Sequence, residues 1–588
     1  MMRLLGNSVA IFAFFLSAAS YALSQGIPEK VALDKPPAVG ASTEKNRSES
    51  HIPKFKSRSQ LVLVPILVSR NGAPVTGLKK NQFRIFEDGK EQKISYFEEI
   101  RADSSPATVA RPSDAAQNSF SNTRVDRSTP KRLVIIALDL INTEFEDRYY
   151  ARQGLIKFLS KNIDDGALVS LVAIGESGVK VVHDFTSDRQ VLVAALNKVA
   201  HRGDQSGLAN PGAPLSNSTE FENEVSTLKN FLQSNRFSGA APLNWFGSGQ
   251  ESWFRVRQTL DALNLIAEAY AGVPGRKSLI WATGGFPFQI ESFNELLGYY
   301  EHTWRVMNQA NIAIYPVDAR GLTVEFPTAS EDIGIRDASG GYERVVEVLH
   351  QRTADNLNRI DTLQTFANMT GGRAFYNNND LAGAFRKAAA DSASYYMVSY
   401  YMDRAKANEK KSRWHDLKVK VDVRGTEVRA RSGFYSGTDT PDAVKNEIAL
   451  ALTSPLDFTA LPLTVRWLGQ QSPEPDRALL KQGIANKKDF EFEVFVPPNS
   501  IAVDESDANR MSIEVVSSAR SEDGKVVDGA VQKIDGKIRK KSVDQIRSHG
   551  FVSKGSISLP PGSYSVRFVV RDNVGQRTGS VMAPLKVD

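Results

Sequence analysis

The chain contains no cysteine. This absence excludes disulfide bonds, thiolate metal sites and a cysteine nucleophile. Only seven histidines occur among 588 residues, and none has the H-E-x-x-H pattern or another paired spacing that binds zinc. A G-x-S-x-G elbow and a phosphate-binding P-loop are also missing from the sequence. Since no recognisable catalytic set is present, we expect a protein that is not an enzyme.

Long apolar runs are scarce as well, and the longest lies near the amino terminus. Arg3 precedes the apolar run 9–16, and Ser20-Tyr21-Ala22 resembles a signal-peptidase site. The run is too short to span a bilayer comfortably. We therefore expect a signal peptide over 1–22, a secreted or periplasmic protein, and no transmembrane segment after it. An uncleaved anchor is the alternative.

The charge is close to balanced. A net charge of +6 is small for this length, and no basic stripe with interleaved aromatic residues is visible. We expect no nucleic-acid partner. A chain this long also exceeds the size of one hydrophobic core, so several domains are expected.

The amino-terminal third contains two polar segments and one strand-rich segment. Residues 23–57 lack hydrophobic periodicity and predict a disordered linker, and residues 101–131 predict a second linker. Between them, residues 58–100 contain short alternating strands around the turn signal Asp88-Gly89. A single hairpin of this kind is not stable alone and needs a partner.

Two later segments are also strand-rich. Residues 412–436 alternate with period two around Arg424-Gly425 and predict a second hairpin. We expect this hairpin to complete the module begun by 58–100, although two separate β units are the alternative. Residues 455–588 contain many short strands separated by turns, which predicts a β-sandwich of immunoglobulin or fibronectin type without the cysteine pair.

Strands alternate with helices over residues 132–403. The run 133–139 is nearly continuous in apolar residues and ends in Asp139, and an amphipathic helical pattern follows at 146–163. That is typical of a strand buried on both faces of a helix-covered sheet. Further strands are predicted up to 373–376 and 395–401. Such alternation favours βαβ units and a parallel sheet with helices on both faces.

The segments 132–143 (RLVIIALDLINT) and 277–285 (KSLIWATGG), together with the order of elements between them, resemble a von Willebrand factor A (VWA) domain. Most of the chain, 61–435, resembles the secreted bacterial VWFA-related family. The resemblance implies an α/β fold class. It consists of a doubly wound, mainly parallel VWA- or Rossmann-like sheet inserted in a small β module, with an all-β sandwich at the carboxyl end.

The resemblance also implies a place for a metal ion. VWA domains hold a divalent ion with an Asp-x-Ser-x-Ser motif, a later Thr and an Asp after the fourth strand. Asp139 and Thr143 match this motif, but Ile141 stands at the first Ser and Gly284 stands where the second Asp is expected. Since Mg²⁺ requires oxygen ligands, we predict a degenerate metal site at Asp139 and Thr143 and no resident cofactor. Bound Mg²⁺ at these two residues is the alternative.

A simpler interpretation of the same turn needs no ion. Asp and Asn commonly cap helices and fix turns through their side-chain oxygens. Asp139 and Asn142 are placed correctly for this role, directly before the predicted helix.

Partner-binding residues are predicted at the same edge of the sheet. Asn142 and Asp318 both follow predicted strands, and the long loop 202–249 carries the aromatic residues Phe237, Trp245 and Phe246. A disordered insertion is the alternative for this loop.

We therefore expect a non-enzymatic exported protein that mediates protein–protein interaction or adhesion through these loops. The alternatives are a metal-dependent VWA binding domain, and an envelope hydrolase with Asp139, Asp318 and His183 as its first suspects.

Overall fold

The computed structural model describes residues 61–101, 118–123, 132–161, 167–175, 178–206, 249–285, 297–322, 341–402, 413–436, 441–471 and 487–588. The chain divides into two compact units, Met1–Phe55 and Lys56–Asp588, and all described residues belong to the second unit. The predicted signal peptide and the linker 23–57 lie outside the described residues.

The strands of the described ranges are β1 (Leu61–Arg70), β2 (Ala73–Pro74), β3 (Phe83–Glu87), β4 (Lys90–Gln92), β5 (Tyr96–Arg101), β6 (Ser119–Ser121), β7 (Arg132–Asp139), β8 (Ala167–Gly175), β9 (Gly178–Thr186), β10 (Lys277–Thr283), β11 (Ile312–Asp318), β12 (Ser394–Tyr401), β13 (Arg413–Val421), β14 (Glu427–Arg429), β15 (Gly433–Ser436), β16 (Thr464–Gln471), β17 (Lys488–Val496), β18 (Arg510–Ser521), β19 (Val526–Lys537), β20 (Phe551–Leu559), β21 (Gly562–Asp572) and β22 (Arg577–Val587). The α-helices are α1 (Phe145–Lys161), α2 (Arg189–Ser206), α3 (Gly249–Tyr270), α4 (Leu297–Gln309), α5 (Gly341–Thr370), α6 (Leu381–Ala390), α7 (Pro441–Thr453) and α8 (Lys540–His549).

A five-stranded sheet with the order β11-β10-β7-β8-β9 occupies the middle of the chain. Its first four strands are parallel, and β9 pairs antiparallel at one edge. Alternate residues of β7 enter two cores: Leu133 and Ile135 pack with α3, α4 and α5, and Val134 and Ile136 pack with α1, α2 and α6. Burial on both faces explains why β7 is apolar at almost every position.

The predicted fold class is nevertheless wrong for this protein. Among the described residues the structure is mostly β, with 46% strand against 29% helix, and the five sheets found there are mainly antiparallel rather than one doubly wound parallel α/β sheet. The strand predicted at 395–401 lies in β12, which pairs antiparallel with β1 and β5. The strand predicted at 373–376 contributes only a single bridge, between Phe375 and Val317.

The physical reason for this error is that strand pairing is long-range. Hydrophobic periodicity predicts that a segment is extended and which of its faces is buried. It does not predict which other strand the segment pairs with, and β12 finds its partner more than 300 residues earlier in the chain.

Two antiparallel sheets are formed by segments that precede and follow the parallel sheet in the sequence. The first has the order β14-β1-β12-β5, and the second has the order β15-β13-β3-β4. Val64, Ile85, Tyr396 and Leu417 meet in their common core. Segments before and after the parallel sheet in the sequence are thus joined by main-chain hydrogen bonds. We call this pair of sheets the β module.

The carboxyl-terminal part is built from two four-stranded antiparallel sheets, β20-β17-β16-β6 and β19-β18-β21-β22. Their core includes Trp467, Phe492 and Phe568, whose rings pack edge to face. The short strand β6 comes from residues predicted as linker. Three residues are too few to show a strand period, so sequence patterning could not predict β6.

Buried arginines fix these sheets to helix α7 and the segment after it. Arg567 Nη1 donates to Asp457 Oδ1 at 2.8 Å, and Arg571 pairs with Glu447. In the same segment, Thr459 Oγ1 donates to the backbone oxygen of Ala269 in α3 at 2.8 Å. Removing one partner of a buried pair leaves an uncompensated charge, so this junction is held firmly. None of the helices in the described ranges has the length and apolar character needed to cross a membrane.

Candidate functional site at the carboxyl edge of the parallel sheet

Asp139 ends β7 and is almost fully buried, with 1% of its surface exposed. Its Oδ1 accepts hydrogen bonds from the backbone N–H of Ile141 at 3.1 Å and of Asn142 at 3.0 Å. Its Oδ2 accepts from Asn142 Nδ2 at 2.8 Å, Trp281 Nε1 at 3.1 Å and Thr283 Oγ1 at 2.9 Å. Five donors therefore surround one carboxylate, which has about four lone-pair positions.

This arrangement decides what Asp139 can do chemically. Burial raises the pKa of the Asp139 carboxyl, while the hydrogen bonds from Asn142, Thr283 and Trp281 act against that rise. A metal site brings several oxygen ligands together, whereas Asp139 faces N–H and O–H donors. An ion at Asp139 would have to displace these donors, so the geometry fits a structural carboxylate better than a metal ligand.

Thr143 and Gly284 are joined to each other directly. Thr143 is buried, and its Oγ1 accepts a hydrogen bond from the backbone N–H of Gly284 at 2.8 Å. A Cβ atom at Gly284 would lie 2.6 Å from the backbone oxygen of Asn142. The position where the resemblance places a second aspartate therefore has no room for a side chain. Ile141, at the position of the first serine, packs its side chain against the core.

Asn142 is turned inward rather than toward a partner. Its Nδ2 donates both to Asp139 and to Thr259 Oγ1, which lies 2.8 Å away on α3. Its Oδ1 is buried without a hydrogen-bond partner among the described residues. Because the amide nitrogen faces Asp139, this oxygen points away from the carboxylate. Asn142 thus links β7 to α3, and the partner-binding role predicted for it stays a prediction.

Asp318 is also engaged internally. It ends β11 and lies two strands from Asp139, because β10 stands between β7 and β11. Its Oδ1 accepts from Arg320 Nε at 3.0 Å, and its Oδ2 pairs with Arg320 Nη2 at 2.7 Å. Arg320 also donates to Asn356 Oδ1 at 3.1 Å. Asp318 and Asp139 therefore sit at the same edge but do not converge on one point.

The remaining predicted residues are not at this edge or cannot be placed. Phe237, Trp245 and Phe246 lie outside the described residues, as does most of the loop 202–249. His183, a suspect for a hydrolase, lies in the middle of β9 opposite Leu171, with β8 between it and β7. The structure thus does not bring His183 together with the two aspartates.

A groove beside Asp139 was not predicted from the sequence. It measures about 470 Å³ and lies between the turn after β7 and the first two turns of α1. Three aromatic side chains of α1 are mostly exposed there: Phe145 by 62%, Tyr149 by 56% and Tyr150 by 67%. Arg148 and Arg152 also line it, and the guanidinium of Arg152 lies 5.5 Å from the centre of the Tyr149 ring. We call this feature the α1 groove.

Hydrogen bonds and core packing fix the inner side of the α1 groove. Arg148 donates from Nε to the backbone oxygen of Thr143 at 2.8 Å and from Nη2 to that of Leu140 at 2.6 Å. Leu155 and Phe158 anchor the opposite face of α1 in the core. A sequence signal for the groove did exist, since Phe145, Tyr149 and Tyr150 fall on the face of α1 that does not carry Leu155 and Phe158.

No protein-family model matches this chain. A search of curated proteins finds no relative either. The function therefore has to be argued from the geometry of the site.

Proposed function

We propose that this protein is a non-enzymatic, exported binding protein that holds a protein partner in the α1 groove. One observation carries the proposal: three large aromatic side chains are exposed side by side at the mouth of a groove of about 470 Å³. Clustered exposed apolar surface of this kind marks interaction sites in soluble proteins.

The composition of the groove supports a protein partner. Aromatic residues and arginine are enriched in the centres of protein–protein interfaces and supply most of their binding energy. The groove offers Phe145, Tyr149, Tyr150 and Arg152 within two turns of one helix. A partner with an apolar side chain that fills the groove would bury these rings.

The chemistry of the edge supports binding rather than catalysis. Asp139 and Asp318 are both saturated by hydrogen bonds or an ion pair from their own chain. A general base or a nucleophile needs an oxygen directed at substrate. The signal-peptide pattern at 1–22 supports export.

Photo-crosslinking from the groove tests this proposal. A photoreactive residue replaces Phe145 in the exported protein, in the cells that produce it, and Val531 on β19 serves as the matched control because 65% of its surface is exposed. We expect one defined crosslinked protein from position 145 and none from position 531. The substitutions Tyr149→Ser and Tyr150→Ser together should lower its yield at least about tenfold, as for loss of an interface hot spot.

Two results would refute the proposal. One is that position 145 gives no crosslinked protein. The other is that the same protein appears with equal yield from position 531, or that its yield is unchanged in the double tyrosine variant.

A further inference from the structure

Two carboxylates and a histidine converge in the β module, far from the α1 groove in the sequence. Glu87 ends β3, Asp88 follows it in the turn to β4, and His415 lies on β13, which pairs with β3. His415 Nδ1 lies 3.2 Å from Glu87 Oε1 and 3.2 Å from Asp88 Oδ2. The three ligand atoms all lie within 4.8 Å of one another.

The second ring nitrogen fixes the orientation of His415. Nε2 lies 2.8 Å from Ser436 Oγ, and the ring stacks on Phe434 with 5.1 Å between centroids. When Nε2–H donates to the serine, Nδ1 presents a lone pair toward two carboxylate oxygens. In this tautomer a cation between the three atoms would satisfy all of them, whereas in the other tautomer Nδ1–H donates to a carboxylate and the serine hydroxyl donates to Nε2. Orientation of a ligating imidazole through its other nitrogen is the usual arrangement at metal sites.

We propose that Glu87, Asp88 and His415 bind one divalent transition-metal ion of the zinc class. Zinc bonds to imidazole nitrogen and carboxylate oxygen are about 2.0–2.2 Å long, so two ligands on a tetrahedral ion lie about 3.3 Å apart. Both histidine–carboxylate distances already meet that value. Water would complete the coordination shell from the side of Asp88, whose side chain is 26% exposed, whereas Glu87 and His415 are buried.

The turn that contains Asp88 orients its side chain toward His415. Its backbone has a positive φ of 49°, in the left-handed region that Asp tolerates in tight turns. Its Oδ1 accepts the backbone N–H of Asp416 at 3.0 Å, which directs Oδ2 toward His415. The metal would therefore fasten the turn between β3 and β4 to β13.

The competing explanation is a metal-free site in which Nδ1–H of His415 donates to the carboxylates, with Tyr400 and Arg431 as the other titratable groups nearby. Calorimetric titration of the whole chain with Zn²⁺ alone separates the two. We expect one saturable site of micromolar or tighter affinity. Mg²⁺ should not compete for it, because a nitrogen ligand suits zinc better than magnesium.

Asp88→Asn is the decisive variant, because Asp88 is at the surface and Asn can keep the hydrogen bond to Asp416. We expect its Zn²⁺ dissociation constant to rise at least about tenfold, as is typical when a ligand or its support is lost. Asp416→Asn is the matched control, since that side chain is bonded to Trp414 Nε1 and should leave the affinity unchanged.

A second readout reports the ligand type. Co²⁺ added in place of Zn²⁺ should give visible absorption bands of the intensity expected for a four-coordinate nitrogen and oxygen site, and Asp88→Asn should abolish them. The proposal is overturned if the wild-type chain shows no saturable Zn²⁺ binding, or if Asp88→Asn binds Zn²⁺ as tightly as the wild type.

Discussion

Two acidic sites of this protein differ in the groups that surround their carboxylates. At the end of β7, Asp139 receives five hydrogen bonds from its own chain. In the β module, Glu87 and Asp88 instead face a single ring nitrogen, Nδ1 of His415, which lies 3.2 Å from an oxygen of each carboxylate. The first site is complete without any further group, whereas we propose that a metal ion completes the second. If the proposal holds, the identity of the neighbours, and not the number of carboxylates, decides whether an acidic site is structural or binds an ion.

The largest loss of stability is expected for a substitution of Asp139. Asp139→Ala removes the acceptor of five donors, three of which belong to Asn142, Trp281 and Thr283 side chains. Leaving buried donors unpaired should lower the free energy of unfolding by about 3–5 kcal/mol. Urea denaturation followed by circular dichroism measures this loss. Asp544→Asn, an exposed carboxylate on α8, should change stability by less than about 0.5 kcal/mol. Equal effects of the two substitutions would contradict a structural role for Asp139.

A second prediction concerns Gly284→Asp, a substitution that introduces the carboxylate found at this position in the VWA pattern. Gly284→Asp would place a Cβ 2.6 Å from the backbone oxygen of Asn142, so the substitution should destabilise the fold by about 2–3 kcal/mol. Gly175→Ala at the end of β8 is the matched control, because nothing lies within 4 Å of the added carbon. Thermal denaturation with and without Mg²⁺ checks both. A Gly284→Asp chain that is stable and further stabilised by Mg²⁺ would show that the edge still accepts an ion.

A third prediction concerns a buried cation at the other end of the same sheet. Lys277 begins β10, and its Nζ donates to the backbone oxygens of Val273 at 2.6 Å and Gly275 at 3.0 Å. Burial lowers the pKa of Lys277 from 10.5 to about 7. Between these values the unfolded chain binds more protons than the folded chain, so stability should rise with pH.

The free energy of unfolding should rise by about 2 kcal/mol between pH 7 and about pH 9. Below pH 7 Lys277 becomes charged in the folded chain as well as in the unfolded chain. Its contribution to the free energy of unfolding should therefore stop changing with pH. Lys277→Met removes the titrating group and should abolish this part of the pH dependence, as denaturant titrations at several pH values will show. A slope that persists in Lys277→Met must come from other groups.

The smallest effect on stability is expected at the α1 groove. Tyr149→Ser and Tyr150→Ser replace side chains that are more than half exposed, so the free energy of unfolding should change by less than about 0.5 kcal/mol each. Leu155→Ser on the buried face of the same helix should cost several times more. The measurement is again urea denaturation. A large loss in the tyrosine variants would mean that these rings support the fold rather than meet a partner.

Part of this structure could be predicted from sequence because it depends on local pattern. The apolar run 133–139 predicts a buried strand, and fixing the turn after it was the simpler interpretation of Asp139, beside the predicted degenerate metal site. The rest depends on distant residues: Trp281 and Thr283 reach Asp139 from β10, and His415 meets Glu87 across more than 300 residues. Histidine spacing along the sequence could not show that meeting. The β-rich class was missed because the pairing of β12 with β1 is equally non-local.

The indole N–H of Trp281 offers the most direct test of the contrast between the two sites, because it donates to Asp139 Oδ2. Its signal can be followed by nuclear magnetic resonance in protein labelled with ¹⁵N-tryptophan, with Trp281→Phe for assignment. We predict that the signal does not move when millimolar Mg²⁺ is added and that it shifts in Asp139→Asn. A saturable shift with Mg²⁺ in the wild-type chain would contradict a carboxylate that is satisfied by its own chain.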